Sequence, residues 1–190
     1  ILNPRWKGKI AYADPTVPGA AHKDFAVWAQ PERLGVDYFR QLAKQELFIS
    51  RDDRPLVEGT ARGKFAIALS VKTDVVGEFI KAGSPLVQLV PQEGTYIQHA
   101  AGALGLIKDA PNPNAARLFI NWLLTREGQT IFSKGYGYPS ARVDVPTDHV
   151  DRKRILDPSV KYIWSDTEEF LQKQPEALEI AKEVFSSYIK

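Results

Sequence analysis

Short apolar runs alternate with amphipathic segments through the first ninety or so residues, and the turns between them are only two to six residues long. The runs KIAYA (9–13), LFIS (47–50), FAIAL (65–69) and PLVQLVP (85–91) read as strands. Residues 20–30, 35–44, 54–62 and 73–83 read as helices, because their apolar positions recur at helical spacing. In the second of these Val36, Phe39, Leu42 and Ala43 share one face and belong to a core. Gly63 and Gly83 stand where helices end on a left-handed glycine, and Thr73 or Asp74 can cap the helix that Gly83 closes. The order β-α-α-β-α-β with such short connections predicts an α/β fold, a sheet with helices on both faces. FAIAL, almost wholly apolar, has the composition of a strand buried on both sides.

The pattern changes near Tyr96. Residues 96–107 read as one long extended stretch, and NPNAARLFINWLLTREGQTIFSKG as an amphipathic helix pair. There Asn112 or Asn114 can cap, Pro113 suits the first turn, and Leu118, Trp122 and Ile131 fall on the side that would be buried. Residues 165–190 form a helical tail with an apolar stripe of Phe170, Leu171, Leu178, Ala181 and Phe185.

Composition removes several classes of function. The 25 basic and 23 acidic side chains are interleaved and leave a net charge of +2. That is no footprint for nucleic acid or for an anionic membrane surface. No run approaches the roughly 20 apolar residues of a membrane span. The absence of cysteine rules out disulfides and thiolate chemistry. Methionine is absent as well, and the opening ILNPRWKGKI reads as a linker entering a strand, which points to a processed chain or a piece of a longer protein.

The three histidines, His22, His99 and His149, are too dispersed in sequence for a zinc-type ligand cluster. No nucleophile elbow, phosphate-binding loop or dinucleotide glycine pattern occurs. The pairs Asp52–Asp53 and Glu168–Glu169 sit at helix starts, where carboxylates complement the backbone dipole. No catalytic set emerges, and neither a cofactor nor a metal is expected. What remains is the carboxyl edge of the strands, where open α/β sheets bind ligands and helix N-termini favour anions. Three loops meet that description: residues 15–22, 70–74 and 92–96.

The motifs NPRWKGKIAYADPT, ARGKFAIAL, EGTY and IKDAPNPNAARLFINWLLTREGQ, in this order, resemble the extracellular solute-binding proteins of ABC importers. The likeness is closest to the group that includes the ferric-iron-binding periplasmic proteins, and it runs through about residues 3–146. It implies a lobe of the type II periplasmic-binding-protein fold, with a mixed sheet and helices on both faces, plus helices that belong to the other lobe. Residues 1–97 would be the second lobe. Residues 98–146 would hold the crossover strand and helices packed on a first lobe outside this chain, and residues 147–190 a C-terminal helical tail. The chain would then be the C-terminal part of a binding protein. Made alone it would expose Leu118, Phe119, Trp122 and Leu123, and would dimerise or aggregate.

The resemblance further implies a periplasmic or extracellular location (lipid-anchored in a Gram-positive host), with the permease and its ATPase as partners. The membrane is reached only through that permease. A small solute would be held by backbone groups of Gly19, Ala20 and Ala21, by side chains of Thr16, Ser70, Lys72 and Thr73, and by Tyr96. Pro18 stands where iron-binding relatives have the serine of an anion-binding nest, which weakens that nest or shifts it onto Ala21 and His22. SVKTDVV lacks the adjacent tyrosines with which those relatives ligate iron. A polar or anionic organic solute is therefore expected in place of ferric iron. The alternatives are a sensory, effector-binding domain of the same fold, or an enzyme on a related architecture such as porphobilinogen deaminase, which would need a cysteine or an acid/base pair in the cleft.

Overall fold

A computed structural model describes residues 1–89, 95–97, 104–157, 159–160, 162–165 and 167–189. It is an α/β structure whose sheet is built from β1 (Ile10–Ala13), β2 (Phe48–Ser50) and β3 (Ile67–Leu69). The strands are parallel in the order β2-β1-β3, with Tyr12 opposite both Ile49 and Leu69. Helices α1 (Ala20–Trp28) and α2 (Gly35–Ala43) connect β1 to β2, α3 (Asp53–Ala61) connects β2 to β3, and α4 (Thr73–Lys81) follows β3. A second, two-stranded sheet pairs β4 (Thr95–Ile97) with β5 (Tyr162–Trp164). Helices α5 (Pro113–Leu123), α6 (Arg126–Tyr136) and α7 (Glu168–Phe185) complete the described elements. No helix among the described residues is long and apolar enough to cross a membrane.

The chain divides into two compact units, one of residues 1–98 and 163–190, the other of residues 99–162. In the first, β1 is the axis. Its side chains alternate large and small: Ile10 and Tyr12 enter a core with α1, α2 and α7, whereas Ala11 and Ala13 meet Leu56 and Phe65 on the other face. That alternation follows from the period of two along a strand and lets helices pack on both faces. The tail helix α7 is part of this core. Phe185 is fully buried and lies edge-on to Tyr12, Phe25 and Phe39.

Two expectations about strands are corrected. FAIAL is not buried on both faces: β3 begins only at Ile67, its three residues are half-buried, and Phe65 alone of that run is buried. The strand enclosed on both sides is β1, which lies between β2 and β3. Residues 85–89 form no strand, and Val87 and Leu89 are exposed, since nothing among the described residues pairs with them. Half of the extended stretch expected over residues 96–107, positions 98–103, lies outside the described residues, and residues 104–107 form no strand.

Helix termini follow local chemistry. Asp52 caps α3 by accepting from the Arg54 N–H, and Thr125 and Thr167 do the same for α6 and α7. Gly63 adopts φ +75° just beyond α3, where a side chain would be strained. For α5 the cap position is Asn112, and for α4 it is Lys72 rather than Thr73 or Asp74; neither makes a side-chain capping bond. In the second unit α5 and α6 bury Leu123, but Leu118 is 73% exposed and Trp122 and Ile131 are exposed too. Nothing among the described residues therefore covers the face expected to be buried.

Candidate functional site

Because the strands are parallel, the segments leaving β1, β2 and β3 emerge side by side at one edge of the sheet. Helices α1, α3 and α4 all begin there. The order in which hydrogen bonds are committed at this edge decides what it can still bind.

After β1, Asp14 is almost fully buried. Its Oδ1 accepts from the backbone N–H of Thr16 at 2.8 Å and from the Thr16 hydroxyl at 2.6 Å. Such a turn is what an aspartate two residues before a threonine forms locally. Its Oδ2 receives the guanidinium of Arg51, 3.2 Å away and largely exposed, from the loop after β2. Gly19 occupies the N-cap of α1 in an extended conformation, and no side chain caps that helix. Ala20 and Ala21 form its first turn. His22 beside them is buried rather than facing solvent; burial pushes its imidazole below the ordinary value, opposed by the backbone of Gln174 and Pro15. Its Nδ1 has no hydrogen-bond partner among the described residues.

After β3, Ser70 adopts the left-handed conformation, φ +56°, which is uncommon without a glycine. Its hydroxyl donates to Asp24 Oδ2 on α1, and Trp28 Nε1 donates to Asp24 Oδ1 at 3.0 Å. Burial raises the Asp24 carboxyl above the ordinary carboxylate value, and the bonds from Ser70 and Trp28 partly offset that. Lys72 reaches Asp53 Oδ2 at 3.5 Å; Asp53 is nearly buried, whereas Lys72 is exposed. Thr73 opens α4.

The structure thus brings Thr16, Gly19, Ala20, Ala21, Ser70, Lys72 and Thr73 to a single sheet edge. It also shows that the Thr16 and Ser70 hydroxyls are engaged by Asp14 and Asp24. Tyr96 lies on β4, outside this sheet, and its side chain is outside the described residues. Sequence reasoning missed Asp14, Asp24, Arg51 and Asp53. The spacing Asp14-x-Thr16 was a readable signal; the contact between Asp24 and Ser70 spans 46 positions and had none.

Among the described residues no group of histidines and carboxylates could hold a metal ion. In the second unit Ser133 and His149 Nε2 lie 2.8 Å apart, with Asp148 3.7 Å from Nδ1. The likeness to a hydrolase triad is superficial. The Ser133 hydroxyl donates to the Tyr138 carbonyl at 2.5 Å, so the imidazole is the donor in the serine contact and cannot take a proton from it. Ser133 is also buried. A shallow hollow of about 200 Å³ lies near Arg33, Trp164, Phe170 and Lys173, beyond the C-terminal end of α1 and away from the sheet edge.

Residues 1–138 match the family described as bacterial extracellular solute-binding protein. An uncharacterized protein of Haemophilus influenzae is 30% identical over 133 residues, which are 69% of this chain and 38% of that protein. The chain therefore spans well under half the length of that relative. No solved structure gives a significant match. With an α/β lobe whose carboxyl edge gathers helix N-termini, and with a family match over most of its length, the chain belongs to the bacterial extracellular solute-binding proteins.

Proposed function

We propose that the chain is the solute-capturing part of an ABC importer's binding protein, and that it takes a small polar or anionic solute at the edge formed by Thr16, Gly19–Ala21, Ser70, Lys72 and Thr73. One observation carries the reading. Asp14, Asp24, Asp52 and Asp53 at this edge are all engaged, by Thr16 and Arg51, by Ser70 and Trp28, by the Arg54 N–H and by Lys72. The helices α1 and α4 begin beside them with no side-chain cap. Two such helix starts leave backbone donors without acceptors. Arg51 and Lys72, each already paired with one of these carboxylates, keep further N–H donors exposed, so the surplus is one of hydrogen-bond donors and not of charge. An oxyanion group satisfies that surplus, and a hard metal cation does not.

Capture of this kind needs no covalent chemistry. The remainder of the cleft would come from the other lobe of the binding protein, with Tyr96 as a further contact to the solute. The protein would work in the periplasm or outside the cell, anchored by lipid in a Gram-positive host, and deliver its solute to a permease driven by an ATPase. Without its other lobe the chain is expected to dimerise through the apolar face of α5 and α6. The test is a thermal-shift panel of phosphonates, carboxylates, sugar phosphates and ferric chelates. A ligand of the folded state at a hundredfold excess over its dissociation constant adds about 2.7 kcal/mol. A shift with an organic anion that Lys72→Ala reduces supports the reading. A shift with ferric iron alone overturns it.

A further inference from the structure

We propose that Asp24 is a positioning residue, the tether that joins α1 to the left-handed turn opening α4 and so holds the two lips of the crevice at a fixed separation. The idea rests on the crevice reading above for its functional meaning, but not for its geometry.

Ser70 is the first residue past β3, and a serine gains nothing from the left-handed region by itself. Some contact must hold it there. The contact present is its hydroxyl on Asp24 Oδ2. The Asp24 carboxylate is in turn oriented by Trp28, one turn further along α1, whose indole is itself in the core. Val71 then packs against the cluster around Ala11 and Ala13, and Lys72, the N-cap of α4, pairs with Asp53. The direction of the first N–H groups of α4 is set by these three successive anchors, and only the first of them reaches across to α1. Releasing Ser70 lets its backbone return to an extended conformation, which re-aims the turn that follows.

Amide hydrogen exchange on the folded chain tests this with three variants. Asp24→Asn keeps both contacts, because its carbonyl accepts from Trp28 and its amide donates to Ser70. Asp24→Ala removes both, and Ser70→Ala removes the one that matters. The expected result is about tenfold faster exchange across residues 70–76 in Asp24→Ala and Ser70→Ala, with Asp24→Asn within about twofold of the parent and residues 35–43 unchanged throughout. Unchanged exchange at residues 70–76 overturns the tether. So does equal acceleration at residues 35–43, which would mean plain loss of stability, or an Asp24→Asn variant as fast as Asp24→Ala. Titration with inorganic phosphate adds the functional arm, with affinity lowered in Asp24→Ala and retained in Asp24→Asn. If no anion binds the parent protein the crevice reading falls, and the exchange data still decide the tether.

Discussion

Phe185→Ala is the substitution that most directly tests how the first unit is held together. Phe185 ends a helix that begins more than seventy residues after β4, yet it is 0% exposed and its ring lies 5.5, 6.0 and 6.5 Å from those of Tyr12, Phe25 and Phe39. Truncating a buried phenylalanine costs about 3–5 kcal/mol, from lost transfer energy and the cavity left behind. Three edge-on aromatic contacts, each adding about 0.5–1.5 kcal/mol beyond area, place this site in the upper half of that range. At a urea slope of about 2 kcal/mol/M, a loss of about 4 kcal/mol lowers the unfolding midpoint by about 2 M. The assay is urea denaturation followed by fluorescence, to which the buried Trp28 of the same core contributes. Leu171→Ala is the control: it lies on the same helix but is 49% exposed, and should change stability by no more than about 0.5 kcal/mol. A Phe185→Ala shift below about 0.5 M, or one matched by Leu171→Ala, would refute the claim that α7 is built into the core of the sheet.

Asp24→Asn should gain stability relative to the parent as pH rises. A carboxyl raised by burial favours folding fully below its ordinary value of 3.8 and loses that contribution as pH climbs through the raised folded value, so the difference in melting temperature between variant and parent should widen from pH 4 to pH 7, and a flat difference would count against it. Ser70→Gly should be about 1 kcal/mol more stable than Ser70→Ala in chemical denaturation, because both lose the bond to Asp24 but only glycine accepts φ +56° without strain. Gly128→Ala should destabilise the helix pair by about 1–3 kcal/mol or more, measured by its loss of helical circular dichroism on heating. A Cβ there would meet the Trp122 carbonyl and come within 2.8 Å of Leu123 Cα, backbone that cannot step aside.

The parts of this fold that could be read from the sequence are those that local pattern determines. KIAYA and the helix that Gly63 ends carry their period within a dozen residues, and each forms the element expected. The tail helix forms too, with Phe170, Ala181 and Phe185 of its expected stripe buried, Leu178 half-buried and Leu171 exposed. The choice of central strand was not legible in that way. FAIAL is the more apolar run, yet the smaller IAYA takes the centre, because alanines at 11 and 13 let α3 approach one face while Ile10 and Tyr12 fill the other. Apolarity alone does not rank strands; the alternation of volume does. The same reasoning separates Leu123 from Leu118 on α5. Both sit on an apolar stripe, but Leu123 meets α6, which begins three residues later, and Leu118 has no neighbour to bury it among the described residues.

At the sheet edge, sequence pointed to backbone donors and to hydroxyls as if both were available to a solute. The hydroxyls of Thr16 and Ser70 are instead held by carboxylates, one two residues away and the other 46. Commitment of a side chain depends on the nearest competitor in space, and for Ser70 that competitor sits on another helix. A backbone N–H at an uncapped helix start has no such competitor within its own helix. Donor surplus at this edge therefore resides in the backbone of α1 and α4 and in the N–H groups that Arg51 and Lys72 keep beyond their pairs with Asp14 and Asp53. On the proposed reading selectivity follows from the same division: side-chain truncation at Thr16 or Ser70 would act by moving the lips, whereas truncation at Lys72 would remove a charge that faces the solute.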